Sequence, residues 1–290
     1  MYDEPSSRKV GLLGIAALTI SLLLTSVSNG AAKSADGVEI RYQVEGAGAP
    51  PIVFVHGWSC DRTYWRAQME HFARAHQVVA VDLGGHGESG LNRKDWTVAS
   101  FGADVAAVLE ALDLRGAVLV GHSMGGPVIL EANQRASERV AALVPVDTLF
   151  DVDGHMSAEE REGFLAPMRA DFRAATENFV RQFMFTKRSD PKLIDRVADD
   201  MAGAPPGVAV SAMKSLFAYD EGAALAAVTV PVRLLNADWR STNLEAARRH
   251  KQDVELTVMP RVGHFLMAED PEEFNRLLAR AVRELTSGGL

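Results

Sequence analysis

A single cysteine, Cys60, stands in 290 residues, so no intrachain disulfide can form and the common cysteine-rich zinc patterns are excluded. The core must hold by packing. Cationic charge is also scarce: 30 lysines and arginines against 38 acids leave a formal net charge of -8. Nucleic acid and anionic membrane surfaces attract through cationic faces, so this balance disfavours both as the main partner and favours a small neutral or cationic molecule. Tandem repeats, low-complexity tracts and coiled-coil heptads are missing too, which argues against a structural or scaffolding protein. What is present suffices for a core, since 47% hydrophobic and 23% charged residues at this length suit one α/β domain.

The first thirty-odd residues differ from the rest. Arg8 and Lys9 precede an apolar run from Val10 to Leu24, and small residues follow through Ala32. That layout is expected of a secretory signal peptide, and the run is shorter than the roughly 20 residues a spanning helix needs. A retained N-terminal anchor is the alternative, because neither Ser26-Val27-Ser28 nor Gly30-Ala31-Ala32 is a decisive cleavage site. Either reading predicts a domain outside the cytoplasm, periplasmic or secreted, that meets a membrane only through an uncleaved leader.

Strand signals begin with the alternating stretch Val38–Val44 and continue with the unbroken apolar run Ile52–Val55. Alternation suggests an edge strand and the unbroken run a buried one. Further apolar strand candidates are 78–81, 117–120, 142–146, 232–235 and 254–258, and helical spacing is clearest over Val98–Leu112 and Phe274–Leu285. Strands alternating with helices predict a mainly parallel sheet with helices on both faces. From about Phe150 to Ala227 the rhythm breaks into helical patterns without a convincing strand. We therefore expect a leader or anchor over 1–32, a first part of the core over 33–149, a helical cap over 150–227 and a second part of the core over 228–290. The cap is rich in aromatic and methionine residues: Phe164, Met168, Phe172, Phe179, Phe183, Met184, Phe185, Met213 and Phe217. Each reads first as core and second as a ligand contact.

Gly121-His122-Ser123-Met124-Gly125 follows a strand candidate and precedes a helix-forming stretch. Such a turn needs small residues at both glycine positions, and its strain lifts the serine hydroxyl toward a substrate. A serine hydroxyl is a poor nucleophile at neutral pH and requires a base. His264, in Gly263-His264-Phe265 after the last strand candidate, is placed to reach it across the C-terminal ends of the strands. His122 should point elsewhere, and His86 reads as structural. An oxyanion requires amide donors already aimed at it, each typically worth roughly 2.7 to 4 kcal/mol in the transition state. The residue after the nucleophile, Met124, supplies one candidate, and Trp58 in His56-Gly57-Trp58 supplies the other; the bland reading of Trp58 is a core or rim aromatic that contributes only area. Cys60 reads as a passive small residue.

The histidine needs a carboxylate partner to fix its tautomer, and two candidates remain open. Asp147 ends the strand candidate at Val146. Asp238 follows Leu235-Asn236-Ala237, at the end of the next strand candidate.

Together, His56-Gly57-Trp58, the loop Asp82-Leu83-Gly84-Gly85-His86-Gly87-Glu88-Ser89, the elbow followed by Gly126, and Gly263-His264-Phe265 resemble the α/β-hydrolase superfamily, in the family's order. The resemblance implies an eight-stranded sheet, a lid between the sixth and seventh strands, and no metal or organic cofactor. Gly84 stands where the family usually has proline. A serine at the elbow argues against halide displacement and epoxide opening, which in this fold resemble carboxylate chemistry. Acyl transfer to water is the first expectation: a small ester, thioester or lactone cleaved as in a carboxylesterase. Carbon-carbon bond hydrolysis and cofactor-free perhydrolysis are alternatives on the same triad. A binding module that lost turnover is the alternative from another class.

Overall fold

The computed structural model describes Met1 and residues 27–287. Eight strands form one sheet: β1 (Ser28–Lys33), β2 (Glu39–Glu45), β3 (Ile52–Val55), β4 (Val78–Val81), β5 (Ala117–His122), β6 (Val140–Val146), β7 (Arg233–Ala237) and β8 (Glu255–Met259), in the spatial order β1-β2-β4-β3-β5-β6-β7-β8. Only β1–β2 and β2–β4 pair antiparallel. The helices are α1 (Arg66–Phe72), α2 (Val98–Ala111), α3 (Gly125–Arg135), α4 (Ala158–Ala170), α5 (Phe172–Phe183), α6 (Pro191–Ala202), α7 (Pro206–Phe217), α8 (Glu221–Ala226), α9 (Leu244–His250), α10 (Leu266–Glu269) and α11 (Pro271–Thr286). Pairs α2–α3 and α1–α11 pack together and cover the sheet.

The unbroken runs Ile52–Val55 and Val78–Val81 became the fully buried strands β3 and β4, as a parallel strand covered on both faces requires. β5 runs two residues past the expected end, because the chain stays paired to β6 until the sharp turn at Ser123. Residues Ser28–Ala32, read as the small-residue end of a leader, belong to β1 and pair with Ile40–Val44 of β2. Their small and polar side chains gave no alternation to read. The apolar run Val10–Leu24 lies outside the described residues. No helix among the described residues is long and apolar enough to cross a membrane.

Helices α4 to α8 all lie between β6 and β7, within the 150–227 insertion. Hydrogen bonds hold them on the core. The Trp58 indole donates to the Ala209 carbonyl at 2.8 Å, the Trp96 and Val98 amides donate to the Ser211 and Ser215 hydroxyls at 3.1 Å each, and the Tyr219 hydroxyl donates to Glu131 at 2.9 Å. β6 and β7 pair sparsely, at Val146 with Leu235 and through a bridge from Leu143 to Val232, so the insertion starts and ends where the two strands meet.

Gly84 has a physical reason. Its amide donates to the Asp104 carboxylate at 3.0 Å, a bond that proline could not make, and a Cβ there would lie 3.0 Å from the same oxygen. Asp104 is fully buried and also accepts from Ser34 and Arg93, while the Arg93 guanidinium reaches out to Asp36. Burial pushes the Asp104 carboxyl up and Arg93 pulls against that shift. Removing one partner of a buried ion pair leaves an uncompensated charge. Arg93→Ala should therefore cost about 3 kcal/mol or more of stability, read from urea unfolding at neutral pH; a loss within the scatter of surface substitutions would show that the network is not tight.

Candidate active site

The residues singled out by sequence gather at one edge of the sheet, at the C-terminal ends of parallel strands: His56-Gly57-Trp58 after β3, Ser123 after β5, Asp147 after β6 and His264 after β8. β3 lies between β4 and β5, so the chain leaves this part of the sheet in opposite directions on either side of it. A crevice opens at such a switch point.

Ser123 adopts φ 54°, a left-handed conformation in a residue that is not glycine. Such a conformation costs of order 1–3 kcal/mol and is held by its surroundings. Here the Ser123 amide donates to the Val146 carbonyl at 2.9 Å, and the Gly126 amide donates to the Ser123 carbonyl at 2.9 Å. The flanking glycines are sterically required. A Cβ on Gly121 would lie 2.1 Å from the Gly125 carbonyl oxygen, and one on Gly125 would lie 2.6 Å from that of Val55.

Asp147 is fully buried and also left-handed, at φ 48°. Its Oδ2 receives His264 Nδ1 at 2.6 Å and the Trp239 indole N–H at 2.9 Å, while its Oδ1 receives the Ala237 amide at 2.8 Å. Asp238 points away: its Oδ1 accepts the Arg261 amide at 2.8 Å and pins the turn after β8. Between the two candidate acids, the structure brings Asp147 to His264 and leaves Asp238 as a loop carboxylate. Strand β7 ends at Ala237, whose backbone is spent on Asp147, so the following side chain faces outward. Trp239 was missed in the sequence, where nothing distinguished it from a surface aromatic.

His264 is 7% exposed, and its amide donates to the Met184 carbonyl of the cap at 2.8 Å. Its own carbonyl accepts from His122 Nε2 at 2.9 Å. A carbonyl only accepts, so His122 is the Nε2–H tautomer, and burial holds its pKa well below the ordinary value. His56 is likewise neutral: burial lowers it to about 4, its Nδ1 donates to the Gly57 carbonyl at 2.8 Å and its Nε2 accepts the Leu83 amide at 3.0 Å. His86, lowered to about 3 mainly by burial, packs 5.0 Å from His56 between ring centres. These three histidines brace loops.

The amides of Trp58 and Met124 have no protein acceptor among the described residues, and both residues line the cavity that contains Ser123 and His264. The Trp58 ring itself is 3% exposed and meets Phe172 and Phe179 edge-on. Its side chain is a core aromatic that also bonds the cap, which is more than area alone, and its backbone amide keeps no protein acceptor among the described residues.

The cavity has a volume of about 610 Å³. Of the cap residues weighed as core or contact, Phe164, Phe179, Phe183, Met184, Met213 and Phe217 line it. Met168 and Phe172 are buried, and Phe185 stacks on Phe265 at 5.5 Å. Cys60 also lines the cavity, but burial pushes its thiol well above the ordinary range, so it stays protonated. Among the described residues no three His, Cys, Asp or Glu side chains cluster as a metal site would need.

Comparisons with known proteins give the family and the fold. A non-heme chloroperoxidase of Streptomyces lividans is 36% identical over 165 residues, covering 56% of this chain and 59% of that protein. The dihydrolipoyllysine-residue acetyltransferase component of the acetoin cleaving system of Cupriavidus necator is 33% identical over 143 residues, 49% of this chain, and the match spans only 38% of that longer protein. Among solved structures, a bromoperoxidase from Bacillus anthracis superposes with a TM-score of 0.79 at 22% identity, over 88% of this chain and all of the other, which speaks to fold. The family model described as "Alpha/beta hydrolase family" matches residues 52–277, from β3 into α11, and the chain belongs to that family.

Proposed function

We propose that the protein is a serine hydrolase that cleaves a small ester, thioester or lactone through an acyl-enzyme on Ser123. The observation that carries the reading is the buried bond from His264 Nδ1 to Asp147, which leaves Nε2 as the acceptor on a ring that lines the cavity beside Ser123. Asp147 fixes that tautomer and stabilises the imidazolium that forms. Ser123 Oγ attacks the carbonyl carbon while its proton passes to His264 Nε2. The carbonyl oxygen becomes an oxyanion and accepts from the Trp58 and Met124 amides. On collapse, the leaving oxygen or sulfur takes the proton from Nε2. Water then attacks the acyl carbon, gives its proton to Nε2, and the second collapse returns that proton to Ser123 as the acid departs. Carboxylesterase-like activity fits this sequence of steps, with no cofactor and no nucleic acid partner.

A second reading uses the same acyl-enzyme with hydrogen peroxide in place of water, giving a peracid. The name of the Streptomyces relative favours it. Partition of one acyl-enzyme between water and added peroxide separates the two.

Export remains our proposal for localisation, carried by the sequence of the first 26 residues. Cleavage after Ala32 would remove five of the six residues of β1, so a cut near Ser28 fits the sheet better.

A fluorophosphonate should form a stoichiometric adduct on Ser123, located by mass spectrometry, and Ser123→Ala and His264→Ala should abolish it. A folded protein that stays unlabelled would contradict the serine-hydrolase reading and favour a binding module. The two candidate acids should also separate in turnover of an activated ester. Asp147→Asn keeps the shape but not the charge, and should lower kcat on the order of 10⁴-fold, as the equivalent change does in a serine protease triad. Asp238→Asn should change kcat less than tenfold; equal losses at both positions would mean that Asp147 does not act as the third member.

A further inference from the structure

The cavity has two unlike walls. One is aromatic, with Trp58, Phe164, Phe179 and Phe217 set edge to face: Phe164 lies 4.9 Å from Phe179 and 5.0 Å from Phe217. The other carries Asp151, Glu221 and Arg240. Glu221 opens α8 in the cap and is partly buried against the cavity. Among the described residues, no side chain or backbone group hydrogen-bonds to its carboxylate or pairs with it. Its neighbours are otherwise occupied: the Arg240 guanidinium lies over the Phe150 ring at 4.6 Å, and Asp151 accepts from the Asn243 side-chain Nδ2 at 3.2 Å. Burial raises the Glu221 carboxyl to about 7 despite the pull of Arg240, with Asp151 adding to the rise. The carboxylate thus stands part-buried on the cavity lining with no donor among the described residues, and a substrate group that donates to it gains a charge-assisted hydrogen bond.

We infer that Glu221 is a specificity residue: the substrate carries, beside an apolar part that fills the aromatic wall, a hydrogen-bond-donating group that binds Glu221. A hydroxyl and an ammonium share that chemistry. Two carboxylates to one guanidinium on this wall disfavour a carboxylate in the same place. The inference rests on the serine-hydrolase reading above, because it assigns the substrate class of that same cavity.

The test uses the full chain and three series of alkyl fluorophosphonates of graded length, ending in methyl, hydroxyl or ammonium. The second-order rate of labelling at Ser123 is the readout. At the best length, wild type should react about threefold or more faster with the hydroxyl-ended probe than with its methyl counterpart, and about tenfold faster with the ammonium-ended probe if an ionised carboxylate is what binds. Glu221→Leu should bring both ratios to about one. Glu221→Gln, which keeps volume and an acceptor, should retain the hydroxyl preference and lose the ammonium preference; thermal melting confirms that each variant is folded. A wild-type ratio at or below one, or a preference that survives in Glu221→Leu, overturns the inference while methyl-ended labelling leaves the hydrolase reading standing. Failure of every probe to label overturns that reading, and the inference with it.

Discussion

One buried carboxylate holds the site together. Asp147 accepts three hydrogen bonds from two segments remote from it in sequence: the end of β7 and the loop that follows it, through Ala237 and Trp239, and the loop after β8, through His264. A charge removed from water is tolerated only when its lone pairs are answered, and here they are answered by donors whose positions the site requires. The same contacts close the gap between β6 and β7, which share little ladder of their own on either side of the cap insertion. Stability and site geometry thus depend on the same group. The left-handed backbone at Ser123 and Asp147, on adjacent strands, is the local cost of aiming both side chains at one crevice.

Around that group, neutral histidines act as struts. His122 holds the carbonyl of His264, and His56 ties the Gly57 carbonyl to the Leu83 amide, which fixes the loop bearing the Trp58 amide. Burial keeps both rings uncharged, so their bonds persist through the ordinary pH range and their donor and acceptor assignments do not switch. The cap reaches the same place from the other side, through Trp58 to Ala209 and His264 to Met184, which makes cavity shape and site geometry parts of one packed unit.

Much of this was legible in the sequence, for identifiable reasons. Buried parallel strands must be continuously apolar, so β3 and β4 were readable to the residue. The elbow was readable because only small side chains survive at Gly121 and Gly125, and His264 because it follows the last strand in a short glycine-flanked loop. What sequence could not settle was contact at a distance. Asp147 and Asp238 both stand at strand ends. Only the fold reveals that Asp238 is spent on the Arg261 amide, while Asp147 faces inward. Trp239 and Glu221 carried no local signal at all, since an indole at a surface loop and an acid opening a short helix are common solvated features. β1 was hidden because its residues, Ser-Asn-Gly-Ala-Ala-Lys, have neither alternation nor β-branched side chains, and its order comes from pairing with β2.

The most direct measurement of the central bond is the proton spectrum of the folded protein in water at low temperature. A proton shared between His264 Nδ1 and Asp147 in a short buried bond should give a resolved signal far downfield of the backbone amides. That signal should persist in Asp238→Asn and vanish in Asp147→Asn and His264→Ala. A signal that survives in Asp147→Asn, or that disappears in Asp238→Asn with the fold intact, would contradict the account.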